Sequence, residues 1–195
     1  CDARQGGANA AASLRLLRAS PAREAAMNDL HVSWDAYHRL IERLALQVHD
    51  SGWSFDAIVC LARGGLRVGD VLSRVFDKPL GVLFTSSYRE EAGTRQSTLQ
   101  IAEHLSSAAP LPGPRWLLVD DLVDSGATLV EVIPVLKARQ PQVREIRSAV
   151  IWRKGASVVA PDYFVESLPT NPWIHQPFEA YDHLRPDDLR GRCGG

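Results

Sequence analysis

Four apolar residues, Trp116-Leu117-Leu118-Val119, run directly into two adjacent carboxylates, Asp120 and Asp121, and an apolar helical pattern opens shortly afterwards near Thr128. A short run that is apolar throughout and bounded by polar residues reads as a strand buried on both faces, the condition of strands in a parallel sheet. Leu129, Val132, Ile133 and Leu136 then fall on one face of a helix. Pro134 lies inside that pattern and is expected to kink or distort it. Strand, polar loop and helix in this order restrict the chain to α/β architectures whose sheet is covered by helices.

The rest of the chain repeats the alternation. Tyr37, Leu40, Ile41, Leu44, Ala45 and Val48 carry helical spacing, with Ser33 as a candidate N-cap, Asp35 near the positive end of the dipole, and Ser51-Gly52 as the stop. Ala57 to Ala62 is another wholly apolar strand, broken by Arg63-Gly64-Gly65. A second helix follows with Val68, Val71, Leu72, Val75 and Phe76 on one face, and Pro79 leads into a strand from about Leu80 to Thr85. Further strands are expected at about Ile146 to Trp152 and Tyr163 to Val165. Residues 86–98 are polar and aperiodic, and a loop of that length in a compact domain is either a functional lid or disordered. From Leu168 the chain is Pro-rich, aromatic and irregular. The expected fold is α/β, with a central, mostly parallel sheet flanked by helices.

Singly, Asp-Asp at a strand end and Ser-Gly after it are ordinary turn residues. Their contiguity changes the reading. The strand delivers Asp120 and Asp121 to its C-terminal end, the edge at which open α/β sheets bind ligands. Asp124 follows, then Ser125-Gly126-Ala127-Thr128 opens the helix. Backbone N–H groups at a helix start, joined by the Ser125 and Thr128 hydroxyls, form an anion site, and Gly126 lets the backbone come close to a phosphate. The acidic pair would repel that phosphate, so it should face hydroxyls or a metal; ribose hydroxyls and Mg²⁺ both fit. The stretch Val119 to Thr128 thus reads as a ribose-phosphate site. No Gly-x-x-x-x-Gly-Lys-[Ser/Thr] occurs, which excludes a P-loop.

Composition narrows the alternatives. The 195 residues suit one domain, or one domain with a small appendage, and 22 basic against 23 acidic side chains give a net charge of −1, which argues against non-specific nucleic-acid binding. Cys1, Cys60 and Cys193 have no metal-ligand spacing, and Cys60 sits in an apolar run, so a reducing, cytoplasmic setting is expected. No apolar run approaches membrane-span length, so no integral membrane association is expected. Residues 1–26 are rich in Ala and Arg without a pattern, and the only Met is Met27. We expect residues 1–26 to be a disordered extension or a start-site artefact and 27–195 to be the functional domain.

Residues 119–128 resemble the signature of the type I phosphoribosyltransferases, and the similarity extends over most of residues 31–179. Within that family the bacterial xanthine-guanine phosphoribosyltransferases are the group it resembles most, through His31-Val-Ser-Trp-Asp35, Ala62-Arg-Gly-Gly-Leu66, Ser86-Ser-Tyr88 and Trp173-Ile-His-Gln-Pro177. The resemblance implies the type I fold with a small C-terminal hood, at about residues 153–180. It implies transfer of a phosphoribosyl group from phosphoribosyl pyrophosphate to a 6-oxopurine (guanine, xanthine or hypoxanthine), with Mg²⁺ as cofactor. Asp120 and Asp121 would hold the ribose hydroxyls, with Asp121 nearest the metal. Leu122, Val123 and Asp124 would continue the donor site into Ser125, Gly126, Ala127 and Thr128, which would bind the 5′-phosphate. Arg63 and Gly64 would bind pyrophosphate, behind a peptide bond that is often cis in this family. The 86–98 loop would be a water-excluding lid carrying Arg95 to the pyrophosphate, with Arg89 as the alternative. Asp124 would accept a proton from, or hydrogen-bond to, purine N7 and act as the catalytic group. Lys154 would donate to the 6-oxygen, Trp173 would stack on the base, and the backbone at Trp173–Ile174 would read the 2-position. Arg153 beside Lys154 leaves open which cation faces the base. The family is usually a homodimer or homotetramer.

Two other readings remain at this level. One is a regulator of the same fold that senses phosphoribosyl pyrophosphate, although residues 1–30 are too short and featureless for a winged helix. The other is a transferase with a non-purine acceptor, kept open by Ala180-Tyr-Asp-His-Leu-Arg185, which stands where the resembled group has an apolar end.

Overall fold

A computed structural model describes residues 29–87 and 99–193. The elements are β1 (Leu30–His31), α1 (Trp34–Asp50), β2 (Ala57–Ala62), α2 (Leu66–Phe76), β3 (Leu80–Ser87), β4 (Leu99–Ile101), β5 (Arg115–Val119), β6 (Leu122–Val123), α3 (Ala127–Arg139), β7 (Glu145–Lys154), β8 (Tyr163–Leu168), β9 (Ile174–His175), α4 (Ala180–His183) and α5 (Pro186–Cys193).

The apolar runs become the centre of one sheet. β3, β2, β5, β7 and β8 lie side by side in that order, every neighbouring pair parallel, and β4 adds antiparallel to β3 at the edge. β6 pairs with β7 on the same flank as β5, since Val119 faces Ala149 and Leu122 faces Trp152 while β8 occupies the opposite flank. β6 is therefore β5 resumed after Asp120-Asp121. The sheet alternates its side chains between two cores. Ile58, Cys60, Leu117, Val119 and Ile151 pack towards α1 and α2, while Ala57, Val59, Leu61, Leu118 and Val150 pack towards α3. Burial on both faces is why these strands read as continuous apolar runs rather than alternating ones.

α1 starts at the expected cap, with the Ala36 N–H donating to Ser33 Oγ at 3.2 Å, and Ser51 closes it. α3 continues through Pro134, held by the buried Leu129, Val132 and Leu136. The chain runs from β2 through α2 to β3 on one side, and from β5 through α3 to β7 on the other. β2 and β5 therefore flank the point at which the winding reverses, and a crevice opens there at the strands' C-terminal ends.

Three features depart from or extend the expectations. Residues 86–98 were read as one loop, but Ser86 and Ser87 continue β3 and pair with Gln100 and Leu99 of β4, because extended Ser and Thr residues suit an edge ladder as well as a loop. Of the segment expected to form a hood, Tyr163–Leu168 is a strand of the central sheet. A separate two-stranded parallel ladder joins β1 to β9, with Leu30 facing Ile174 and His31 facing His175. No helix among the described residues is long and apolar enough to cross a membrane.

Candidate active site

The crevice at the winding reversal is floored by the Arg63–Gly65 turn after β2 and the Asp120-Asp121 break after β5. A cavity of about 390 Å³ there is lined by Arg63, Gly64, Asp120, Asp121, Asp124 and the Ser125–Thr128 turn, among others. Thr85 and Leu99 line its far side, so β3 and β4 deliver both ends of the 88–98 stretch to the rim. Arg95 and Arg89 themselves lie outside the described residues.

Close approach of the two turns requires glycine. A Cβ on Gly64 would stand 2.6 Å from Asp121 Oδ1, and one on Gly65 would stand 2.6 Å from the Val119 carbonyl oxygen. The peptide bond entering Arg63 is cis. The Arg63 side chain is 82% exposed and reaches across to Asp182 Oδ1, 3.4 Å from Nη2.

The break after β5 is pinned by its own carboxylates. Asp120 Oδ1 accepts from the Asp121 N–H at 2.9 Å, and Asp121 Oδ1 accepts from the Leu122 N–H at 2.8 Å. The Asp121 carbonyl accepts from the N–H groups of Ile151 and Trp152, which keeps the interrupted strand attached to β7. Burial, and then the charge of Asp121, hold the Asp120 carboxyl well above the usual carboxylate range. Burial raises Asp121 too, against the Gln176 amide and the Leu122 N–H, which favour its ionised form. Two adjacent, desolvated acids of this kind suit a ligand offering hydroxyl donors or a hard cation.

Gly126 caps α3 in the left-handed region at φ 89°, without a side-chain hydrogen bond. The Ala127 N–H bends towards Ser125 Oγ at 3.3 Å, and the first α-helical bond is Val130 N–H to Gly126 O at 3.2 Å. The amides before Val130 are thus at the open helix end, the geometry of an anion cradle.

Lys154 and Arg153 resolve by strand alternation. Lys154 is 7% exposed, with Nζ 3.7 Å from Asp124 Oδ2. Arg153 turns to the other face, its guanidinium 5.8 Å from the Phe164 ring centroid. Trp173 lies at a neighbouring depression rather than in the first cavity, and Ile174 lines neither. Trp173 is 54% exposed there, beside His31, His175, Gln176 and Glu179, and its indole N–H reaches Glu179 Oε2 at 3.4 Å. Ile174 is buried in the core, and the Trp173 carbonyl accepts from the Leu30 N–H at 2.8 Å.

Sequence reasoning missed Gln176. It is 7% exposed, and its amide donates to Asp121 Oδ2 at 2.5 Å, which links the depression at Trp173 to the cavity at Asp121. Its position inside Trp173–Pro177 was visible; its partner, far away in the chain, was not.

A winding-reversal crevice with an acidic shelf and a phosphate-type helix start defines a nucleotide- or sugar-phosphate-handling α/β protein. A family model for the phosphoribosyl transferase domain matches residues 33–183, and the chain belongs to that family. It is a type I phosphoribosyltransferase, an enzyme of the pentosyltransferase class. The chain is 27% identical over 156 residues to the xanthine-guanine phosphoribosyltransferase of Idiomarina loihiensis, spanning 80% of this chain and 89% of the relative. It is 28% identical over 151 residues to that of Nitratidesulfovibrio vulgaris, spanning 76% and 83%. Among solved structures, a purine phosphoribosyltransferase from Pyrococcus horikoshii is 30% identical with a TM-score of 0.64, covering 78% of this chain and 95% of that one.

Proposed function

We propose that this enzyme transfers the 5-phosphoribosyl group of phosphoribosyl pyrophosphate to a 6-oxopurine, releasing pyrophosphate and the nucleoside monophosphate. The observation that carries the acceptor is Lys154. Its ammonium is nearly buried and faces Asp124 at the mouth of the donor cavity. An ammonium has donors only, so it favours a 6-oxo group over a 6-amino group. The relatives named as xanthine-guanine and purine phosphoribosyltransferases support the same acceptor class.

In this reading the amides from Ser125 to Thr128 and the Ser125 and Thr128 hydroxyls hold the 5′-phosphate. Asp120 and Asp121 accept from the ribose hydroxyls, and Arg63 with the Gly64 backbone receives pyrophosphate, Arg63 leaving Asp182 to do so. The C1′–oxygen bond to pyrophosphate breaks as a purine ring nitrogen bonds to C1′. Asp124 takes up, or hydrogen-bonds to, the proton at N7 and so enriches the attacking nitrogen. Lys154 beside it holds the 6-oxygen, and Trp173 covers the face of the base. Arg95 in the 88–98 stretch is the proposed lid contact to pyrophosphate, which would exclude water from the cationic ribose.

Mg²⁺ fits the residues present. Asp120 and Asp121 would supply hard oxygen ligands, Asp121 foremost, and a magnesium ion keeps its other positions for water and substrate phosphate. When bound it would offset the charge of the departing pyrophosphate. A homodimer or homotetramer in the cytoplasm, with no nucleic-acid partner, completes the proposal.

The test is pyrophosphate release with phosphoribosyl pyrophosphate, Mg²⁺ and a panel of bases. Turnover is expected with guanine, xanthine or hypoxanthine and not with adenine. Asp124→Asn should lower kcat by about 10²–10⁴-fold, the range of one general acid–base group, while donor affinity survives. Tight donor binding with no turnover of any base tested would overturn this reading in favour of a sensor.

A further inference from the structure

We propose that Gln176 is a positioning residue: its amide fixes the Asp121 carboxylate in the orientation that receives the donor, and fastens the Trp173–Ile174 segment to the acidic shelf. This rests on the reading of Asp120-Asp121 as the ribose and metal shelf given above.

The geometry leaves Asp121 no slack. Oδ1 is held by the Leu122 N–H and Oδ2 by Gln176 Nε2, so each oxygen has its own donor and the carboxylate plane is set. An ionised carboxylate only accepts, which fixes which end of the amide faces it. Gln176 is too buried to exchange this bond for one to water. Its other end is less comfortable. Gln176 Oε1 is buried without a hydrogen-bond partner among the described residues, as is the hydroxyl of Tyr37, whose pKa is raised by burial and then by the charge of Asp121. An amide serving only to fill space would be replaceable by Leu, which brings no unpaired oxygen. Keeping Gln here makes sense if its donor end has work to do on Asp121.

The chain around Gln176 explains why the link matters. Trp173 and Ile174 stand three and two positions earlier, braced by β1, and the Gln176 carbonyl accepts from the Glu179 N–H at the start of the α4 turn. The base-side segment and the donor-side shelf come from separate parts of the chain, with Gln176 and Asp121 55 residues apart. Gln176 is the direct side-chain bond between them.

The experiment compares the full chain with Gln176→Leu and Gln176→Glu. Donor affinity is measured by calorimetry with phosphoribosyl pyrophosphate and Mg²⁺ in the absence of base, alongside thermal midpoints and steady-state kinetics. Gln176→Leu keeps the volume and should keep the midpoint, while donor affinity falls about 10-fold or more, the loss expected for one hydrogen bond to a charged group. The KM for donor should rise with it, and kcat at saturation should change less. Gln176→Glu places a like charge against Asp121 and should be worse than Leu. In an Asp121→Asn background, Gln176→Leu should lose little more. Donor affinity within twofold of the parent in both variants overturns the proposal. So does a loss that merely follows a fallen midpoint, or one confined to the KM for base. If the parent chain itself binds no donor, the proposed function fails and takes this inference with it; if the parent binds and Gln176→Leu binds equally well, only this inference fails.

Discussion

Asp120 and Asp121 place two carboxyl groups on one desolvated edge, where burial opposes the ionisation of both and the charge of Asp121 further opposes that of Asp120. The folded pKa of Asp120 lies above its unfolded value, so between the two the folded chain binds more protons. Stability of the ligand-free protein therefore rises as pH falls through the folded pKa, and the gain is complete below the unfolded one. Asp120→Asn removes the repulsion without changing shape. It should raise the thermal midpoint at pH 7–8 by about 2–4 °C, equivalent to about 1 kcal/mol in a chain of this size. That advantage should shrink as pH falls, while donor binding weakens; scanning calorimetry from pH 5 to 8 checks it, and a midpoint unchanged at every pH would contradict it. Such a site trades stability for function. Asp120, Asp121 and Asp124 were legible as candidates because they stand in one contiguous order of apolar strand, Asp-Asp, apolar pair, Asp-Ser-Gly-Ala-Thr and apolar helix, where each alone would pass for a turn residue. Lys154 was half-legible, since the sequence showed two adjacent cations and only strand alternation sends Lys154 to Asp124 and Arg153 to Phe164. Gln176 was not legible, because nothing local to an amide names its partner.

Among elements, α2 lies close against β2 because Gly69 has no side chain. A Cβ there would come within 2.6 Å of Cys60 Cβ. Gly69→Ala gains helix propensity, about 1 kcal/mol, but overpacks a core in which inserted atoms cost typically about 1–3 kcal/mol. A net loss of stability is expected, measured by urea unfolding, and Cys60→Ala should not rescue it, because the clash is with the Cβ that alanine retains. Burial pushes the Cys60 thiol up to about 11, so it should resist alkylation in the folded protein. The elements that the sequence displayed best are those with a period: α1 to α3 and the wholly apolar strands. β1, β4, β6 and β9 are two or three residues long, and their pairing is decided by partners elsewhere. No periodicity exists over so short a span, so a reading of patterns passes them by.

For the molecule as a whole, β1 and β9 join the start of the described domain to its C-terminal segment. The Leu30 N–H to Trp173 carbonyl bond braces the backbone that the family resemblance implies would read the 2-position of the base. Leu30→Pro deletes that N–H and should raise the KM for base by about 3–10-fold, the value of one neutral hydrogen bond, with donor affinity unchanged. Initial-rate measurements with each substrate varied in turn decide it, and equal changes in both constants would argue for general unfolding instead. The same ladder also orders events at the ribosome. β1 leaves the exit tunnel with nothing to pair with, long before β9 is made. The central sheet can close around its crevice while the edge proposed to read the base still waits for Trp173 and Ile174. In the proposed function, a nascent chain would hold the phosphate cradle at Ser125–Thr128 before Trp173 exists to cover the base or Gln176 to orient Asp121.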